Sequence, residues 1–306
     1  MAAGDKAREE AAAAHAPIEL LSEHGAFGGR QRFCRHASSV IGLPMRFAAY
    51  LPPQALGEGA AKVPVLFWLS GLTCTEETFP TKAGAQRAAA ELGLALVVPD
   101  TSPRGAGVPG EADAWDFGVG AGFWLDATQE PWAGRWRMES YLIDELLPLA
   151  GAQLPVDLAR AGILGHSMGG HGALTLALRH PGVFASVSAF APIAAPAQCP
   201  WGQKAFAGYL GDDREAWTDH DASELMSRQT ARVPYPGGIL IDQGEDDRFL
   251  AEGQLLPEVF ETACAKVGQP LELRRHAGYD HGYYFIASFI DDHLRFHAEA
   301  LKAAAD

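Results

Sequence analysis

The rhythm of apolar and polar positions changes once along this chain. In the first third, IELLSEH, QRFCRHAS and MRFAAYL are short, partly alternating runs broken by Gly-Gly and Pro, which predicts three β-strands. From about residue 64 the apolar runs become continuous: VPVLFWLSG, LALVVPD, AGILG, FASVSAFAP and GGILIDQG, with LELRRHAG as a last strand. Continuous runs of that length suit strands buried on both faces. Helical stretches stand between them. KAGAQRAAAELG stops at Gly93, and HGALTLALRHP stops near Pro181. MESYLIDELLPLAGAQLP and GYYFIASFIDDHLRFHAEALKAA are also helical, the latter being long.

Strands alternating with helices imply an α/β protein. Its sheet is expected to be mainly parallel with helices on both faces, extended by antiparallel N-terminal strands. Residues 101–135, rich in Gly and Trp, read as a loop, and residues 192–236 as short helical pieces between prolines. Long insertions of this kind build sites above the strand ends. A length of 306 residues admits two domains. No linker interrupts the pattern, so the expectation is a single domain over residues 17–306, preceded by a frayed or helical tail over residues 1–16.

Composition narrows the function classes. Hydrophobic residues are 48% and charged residues 20%, as in soluble globular proteins. A formal net charge of −14 makes nucleic acid or an anionic membrane surface a poor partner. No apolar run approaches the ~18 residues of a membrane span. The N-terminus lacks a signal-peptide core because Glu9 and Glu10 interrupt it. Cys34, Cys74, Cys199 and Cys264 form no CxxC, so neither a metal site nor a disulfide framework is expected, and the cytoplasm is the default location.

The candidate chemistry starts at Gly165-His166-Ser167-Met168-Gly169-Gly170. The pattern G-x-S-x-G is weak alone, but here the strand AGILG precedes it and a helix follows, as a nucleophile elbow requires. The alternative is an ordinary N-cap serine. A serine hydroxyl needs a base to take its proton and an acid to orient that base, in the chain order Ser, acid, His. Two later strands supply them. GGILIDQG runs into GEDDRFL, where Asp242, Asp246 and Asp247 are candidate acids, and loop position favours the last two. LELRR runs into HAGYDHG, where His276 and His281 are candidate bases. His281, at the helix entry, is better placed to reach the serine. Met168, just after the serine, and Leu72 in the SGLTC loop are the candidate backbone donors of an oxyanion hole.

Taken together, WLSGLTCTEETF, DFGVGAGFWLDAT, GHSMGGHGAL, CPWGQKAFAGYLG, IDQGEDDRFL and GYDHGYYFIASFI resemble the S-formylglutathione hydrolase (esterase D) family, in that family's order, over about residues 17–300. The resemblance implies an α/β-hydrolase fold, a serine thioesterase that completes glutathione-dependent formaldehyde detoxification, no cofactor and a homodimer. Carried over by motif, it implies Ser167 as nucleophile, Asp247 as acid and His281 as base, and it points to Leu72 for the oxyanion hole. The sequence departs from the family at Thr78, where Asn is usual, and at Gly282, where Ser is usual.

Other residues stay open. Cys74 is either a buried small residue or, as the resemblance implies, a thiol beside the site and outside the triad. Phe123, Trp124 and Trp201 are candidates to wall a small acyl pocket, or else plug the loop core. Lys204 is a candidate partner for a glutathione carboxylate, or a solvated lysine. His171 is expected to be structural. The expected substrate is therefore a small glutathione thioester. The alternatives are a general carboxylesterase or acyltransferase of the same fold, and a non-catalytic binding protein on a hydrolase scaffold.

Overall fold

The computed structural model describes residues 16–230 and 233–303. The expected tail lies outside the described residues except for Ala16. There the chain is tied down by Gln153, whose Nε2 donates to the Ala16 carbonyl (3.2 Å) and whose Oε1 accepts from the Ile18 N–H (2.9 Å).

Nine strands form one sheet. They are β1 (Glu19–Ala26), β2 (Gly29–Ala37), β3 (Pro44–Leu51), β4 (Val63–Leu69), β5 (Ala95–Pro99), β6 (Val156–His166), β7 (Ser186–Phe190), β8 (Ile239–Gly244) and β9 (Leu271–His276). Their spatial order is β1-β2-β3-β5-β4-β6-β7-β8-β9. The first three strands and the β3–β5 pair are antiparallel, and every pairing from β5 through β9 is parallel. The predicted pattern is therefore the observed one. Strands β5 and β7 are central and buried throughout, whereas β1 is an exposed edge. Because β4 and β6 to β9 run the same way, all their carboxyl ends meet at one rim of the sheet.

The helices that matter for the site are α1 (Gln86–Leu92), α2 (Leu147–Gln153), α3 (Met168–Arg179), α4 (Pro200–Leu210), α5 (Pro257–Val267) and α6 (Tyr283–Ala303). On β7, Ser188 and Phe190 meet α6. Successive strand side chains alternate, so Val187 and Ala189 point to the other face. Layers thus cover both sides. The stretch before α2 is helical as predicted, but Tyr141–Leu146 within it is π-wound.

Two helices differ from expectation. CPWGQKAFAGYLG forms a full helix of 11 residues rather than a short piece, because Pro200 sits at its first turn, where a missing N–H costs nothing. The run PEVFETACAKV, unassigned from the sequence, is α5, opened by Pro257 and ended by Gly268 at φ 72°. No helix of the described residues is long and apolar enough to cross a membrane.

Candidate active site

Ser167 stands between β6 and α3 at φ 58°, ψ −119°, a conformation that a side chain rarely tolerates. The flanking glycines make the turn possible. A Cβ on Gly169 would lie 1.9 Å from the Leu69 carbonyl oxygen, and one on Gly165 would lie 2.2 Å from the Gly169 carbonyl oxygen. The backbone is anchored on both sides: Ser167 N–H donates to Phe190 O (3.0 Å), and Ile193 N–H donates to Ser167 O (3.2 Å).

The acid and base loops are stapled to each other. Glu245 N–H donates to His276 O and Asp246 N–H to Tyr279 O, both at 3.0 Å. A Cβ on Gly244 would lie 2.3 Å from Tyr279 O, so only glycine permits this approach. The staple brings Asp247 Oδ2 to 2.5 Å from His281 Nδ1. The Asp247 carboxylate also accepts from the Phe249 N–H (2.8 Å) and the Gln243 side-chain amide (3.2 Å). Burial pushes this carboxyl up, but the His281 ring and these donors outweigh burial and hold it below the usual carboxylate range.

The other candidates go elsewhere. Asp242 is gripped by the Arg274 guanidinium, with contacts of 2.6 Å to each oxygen. His276 faces Asp242 (3.2 Å) and stacks on Phe289. The Asp246 side chain is exposed.

Ser167 and His281 both line a cavity of about 190 Å³, together with Gly71, Leu72, Thr73, Cys74, Trp115, His166, Trp201, Phe249 and Tyr283. The Ser167 hydroxyl and the His281 ring are not hydrogen-bonded to each other, and such bonds commonly tighten only when substrate is bound. A larger cleft of about 660 Å³ lies near the amino ends of β7 and β8, by Ser186, Tyr235 and Gly238, and presents no nucleophile and base together.

Met168 opens α3 and Leu72 lies on the loop after β4. Neither N–H has an acceptor among the described residues. Thr73, at φ 69°, fixes that loop by donating its N–H to Gly120 O (2.9 Å). Thr78, one departure from the family, supports the same loop, since its hydroxyl accepts from Thr75 N–H (3.0 Å). At the other departure, the Gly282 N–H donates to Asp280 Oδ1 (2.8 Å), which orders the segment behind His281.

His166 packs against His281 with ring centroids 4.4 Å apart. Neither of its ring nitrogens has a hydrogen-bond partner, and burial pushes it well below the ordinary histidine range, so it is a neutral wall. Cys74 lines the cavity, and its thiol is pushed up by burial against the opposing pull of Tyr283, Thr78 and Lys82. The other three thiols are buried, with Cys34 and Cys199 raised to about 11 and Cys264 to about 12.

Three pocket candidates need correction. Phe123 and Trp124, 0% and 1% exposed, do not line the cavity. The Phe123 carbonyl is 3.1 Å from His171 Nε2, and Trp124 covers Gly172, where a Cβ would lie 2.4 Å from the indole. Both side chains therefore plug the core beneath the insertion. Lys204 is also off the cavity, with its ammonium held by Asp116. Trp201 does line the wall, edge-on to the exposed Trp115 at 5.5 Å. Trp115, Phe249 and Tyr283, none of them a candidate from sequence, also line the cavity. Trp115 directly precedes one motif already noted, and Phe249 and Tyr283 lie within two others, but only the folded loops show which way each faces.

A hydroxyl on a strained elbow and an imidazole held by a carboxylate beside one cavity, with unpaired N–H groups at Leu72 and Met168, are parts that acyl transfer to serine requires. The family description "Putative esterase" matches residues 38–296. An S-formylglutathione hydrolase of Rattus norvegicus is 53% identical over 289 residues, covering 94% of this chain and 99% of that protein. One of Arabidopsis thaliana is 54% identical, covering 92% and 98%. The solved structure of an S-formylglutathione hydrolase from Agrobacterium tumefaciens superposes with a TM-score of 0.88 at 47% identity, covering 92% of this chain and 99% of that one. The fold is that of the α/β hydrolases, and the chain belongs to the S-formylglutathione hydrolase family.

Proposed function

We propose that this chain is a serine thioesterase that hydrolyses S-formylglutathione to glutathione and formate. The single observation that carries the reading is the 2.5 Å pair of Asp247 and His281, set on the same small cavity as the strained Ser167. His281 takes the Ser167 proton as the hydroxyl oxygen attacks the formyl carbon. The N–H groups of Leu72 and Met168 receive the oxyanion. Collapse breaks the C–S bond, and His281 returns the proton to the departing sulfur. Water, deprotonated by His281, then attacks the formyl-serine, and formate leaves as Ser167 regains its proton. Asp247 holds the ring in one tautomer throughout and stabilises its cation.

The narrow cavity, walled by Trp115, Trp201, Phe249 and Tyr283, favours a small acyl group. The four cysteines are unpaired, which supports the reducing, cytoplasmic setting expected for such an enzyme. The test is a paired assay of wild type and Ser167→Ala on S-formylglutathione and p-nitrophenyl acetate. Wild type prefers the thioester, and the variant loses essentially all turnover and all labelling by a fluorophosphonate. A variant of near wild-type rate, or a wild type that prefers the aryl ester, sinks the reading.

A further inference from the structure

The cavity has room for the acyl group but not for a tripeptide. Its volume of about 190 Å³ is below the roughly 300–1,000 Å³ that encloses drug-sized ligands. The peptide part of a glutathione thioester bound at Ser167 must therefore lie across the mouth, where rim groups recognise it. Glutathione carries a carboxylate at each end and an ammonium at one. It is a net anion, and it approaches a chain of formal net charge −14 whose overall field repels it. Local cations must overcome that field.

Five side-chain cations lie over aromatic rings among the described residues. Two of those rings, Tyr283 and Phe249, line the cavity. Lys82 Nζ is 5.7 Å from the Tyr283 ring centroid, and the Arg248 guanidinium is 4.4 Å from that of Phe249. Both cations are exposed, and neither has a carboxylate partner among the described residues. Nearby cations are answered already: Lys204 by Asp116, Arg104 by Asp100 and Arg46 by Glu76. The rings also adjoin the reacting groups, with Phe249 4.8 Å from the His281 ring and Tyr283 6.2 Å from the His166 ring.

We propose that Lys82 and Arg248 form an anion-recognising rim that selects glutathione thioesters over neutral esters, each cation meeting a carboxylate of the tripeptide. The proposal rests on the thioesterase reading above. The ring beneath each cation holds its stem in place, so less conformational freedom is lost when the carboxylate arrives. Lys82 belongs to the Thr78–Lys82 turn of helix behind the Leu72 loop, and Arg248 directly follows Asp247. The recognising charges are thus built into the segments that carry the chemistry.

Lys82→Gln, Arg248→Gln and the double variant test it, assayed with S-formylglutathione and with p-nitrophenyl acetate. KM for the thioester is expected to rise about threefold in each single variant and about tenfold in the double, as for exposed ion pairs acting independently. The kcat stays within about twofold, because the rim does not touch the reacting carbonyl, and kcat/KM for the neutral ester is unchanged. Added salt raises the wild-type KM but not that of the double variant. Arg248→Lys recovers most of the loss, and Lys204→Gln, whose charge Asp116 already answers, changes nothing. Equal losses on both substrates, an unaltered KM in the double variant, or a larger effect from Lys204→Gln overturns the proposal. A wild type inert toward S-formylglutathione refutes the thioesterase reading itself, whereas an active wild type with indifferent variants refutes only the rim.

Discussion

Ser167 holds a backbone conformation that costs about 1–3 kcal/mol. It persists because the surrounding contacts leave no alternative: Gly165 and Gly169 lack the Cβ atoms that would collide with the Leu69 and Gly169 carbonyl oxygens. At this scale the partner of His281 matters most. Asp247→Asn replaces an acceptor at Nδ1 with a group that can present N–H₂, so the ring loses its preferred tautomer. The expected outcome is a kcat about 10⁴-fold lower with KM little changed, since the same substitution in a serine protease triad costs that much. Steady-state kinetics read it, and a loss of less than about tenfold would show that the carboxylate does not orient the base. The GHSMGG motif was legible as an elbow because glycine at 165 and 169 has a steric reason. Trp115, Phe249 and Tyr283 were not, because nothing in an isolated aromatic residue tells whether it faces a cavity or the core. Phe123 and Trp124 show the converse, looking like pocket walls in a Gly-rich loop yet being buried under it.

Among the elements, α6 carries the least predictable chemistry. Two of its buried residues are His293 and His297, one turn apart. Their rings reach β7: His297 contacts Ser186 Oγ (2.6 Å) and Ser188 Oγ (2.8 Å), and His293 Nδ1 contacts Ser188 Oγ (2.8 Å). Beyond them His293 Nε2 lies 3.3 Å from Asp242 on β8. This polar seam fixes the helix that begins two residues after His281. Ser188→Ala leaves two buried ring nitrogens without that partner and is expected to destabilise by about 1–3 kcal/mol. A denaturant midpoint that does not move would contradict it. The long amphipathic pattern made α6 legible as a helix. Its buried histidines were not legible as a seam, because their serine partners stand more than 100 residues away. Helix α4 was harder to see for the opposite reason, since proline is a breaker inside a helix and a natural first residue of one.

For the whole molecule, buried histidines set the acid limit. Burial pushes His171 and His297 down from 6.5 to about 3. Above pH 6.5 these rings are neutral in both states and contribute no slope. Between about 6.5 and 3 the unfolded chain takes up protons that the folded one refuses, so stability falls as pH falls, by roughly 1.4 kcal/mol per pH unit for each ring. Asp221, raised by burial to about 6 against its backbone donors, works the other way between 6 and its ordinary value, because the folded state then holds the proton. Two rings outweigh one carboxyl, so the urea midpoint at pH 5 is expected to lie well below that at pH 7, and equal midpoints would refute the assignment. The alternation of strands and helices and the glycine-flanked elbow are local patterns, and so the sequence alone determined them. Bringing the Asp247 carboxylate onto the His281 ring, setting Trp115 on the cavity wall and Trp124 in the core, and placing Lys82 and Arg248 on the cavity's own rings were decided only by tertiary structure. Those outcomes depend on which loops meet at the carboxyl rim, and long-range packing, not local spacing, sets that meeting.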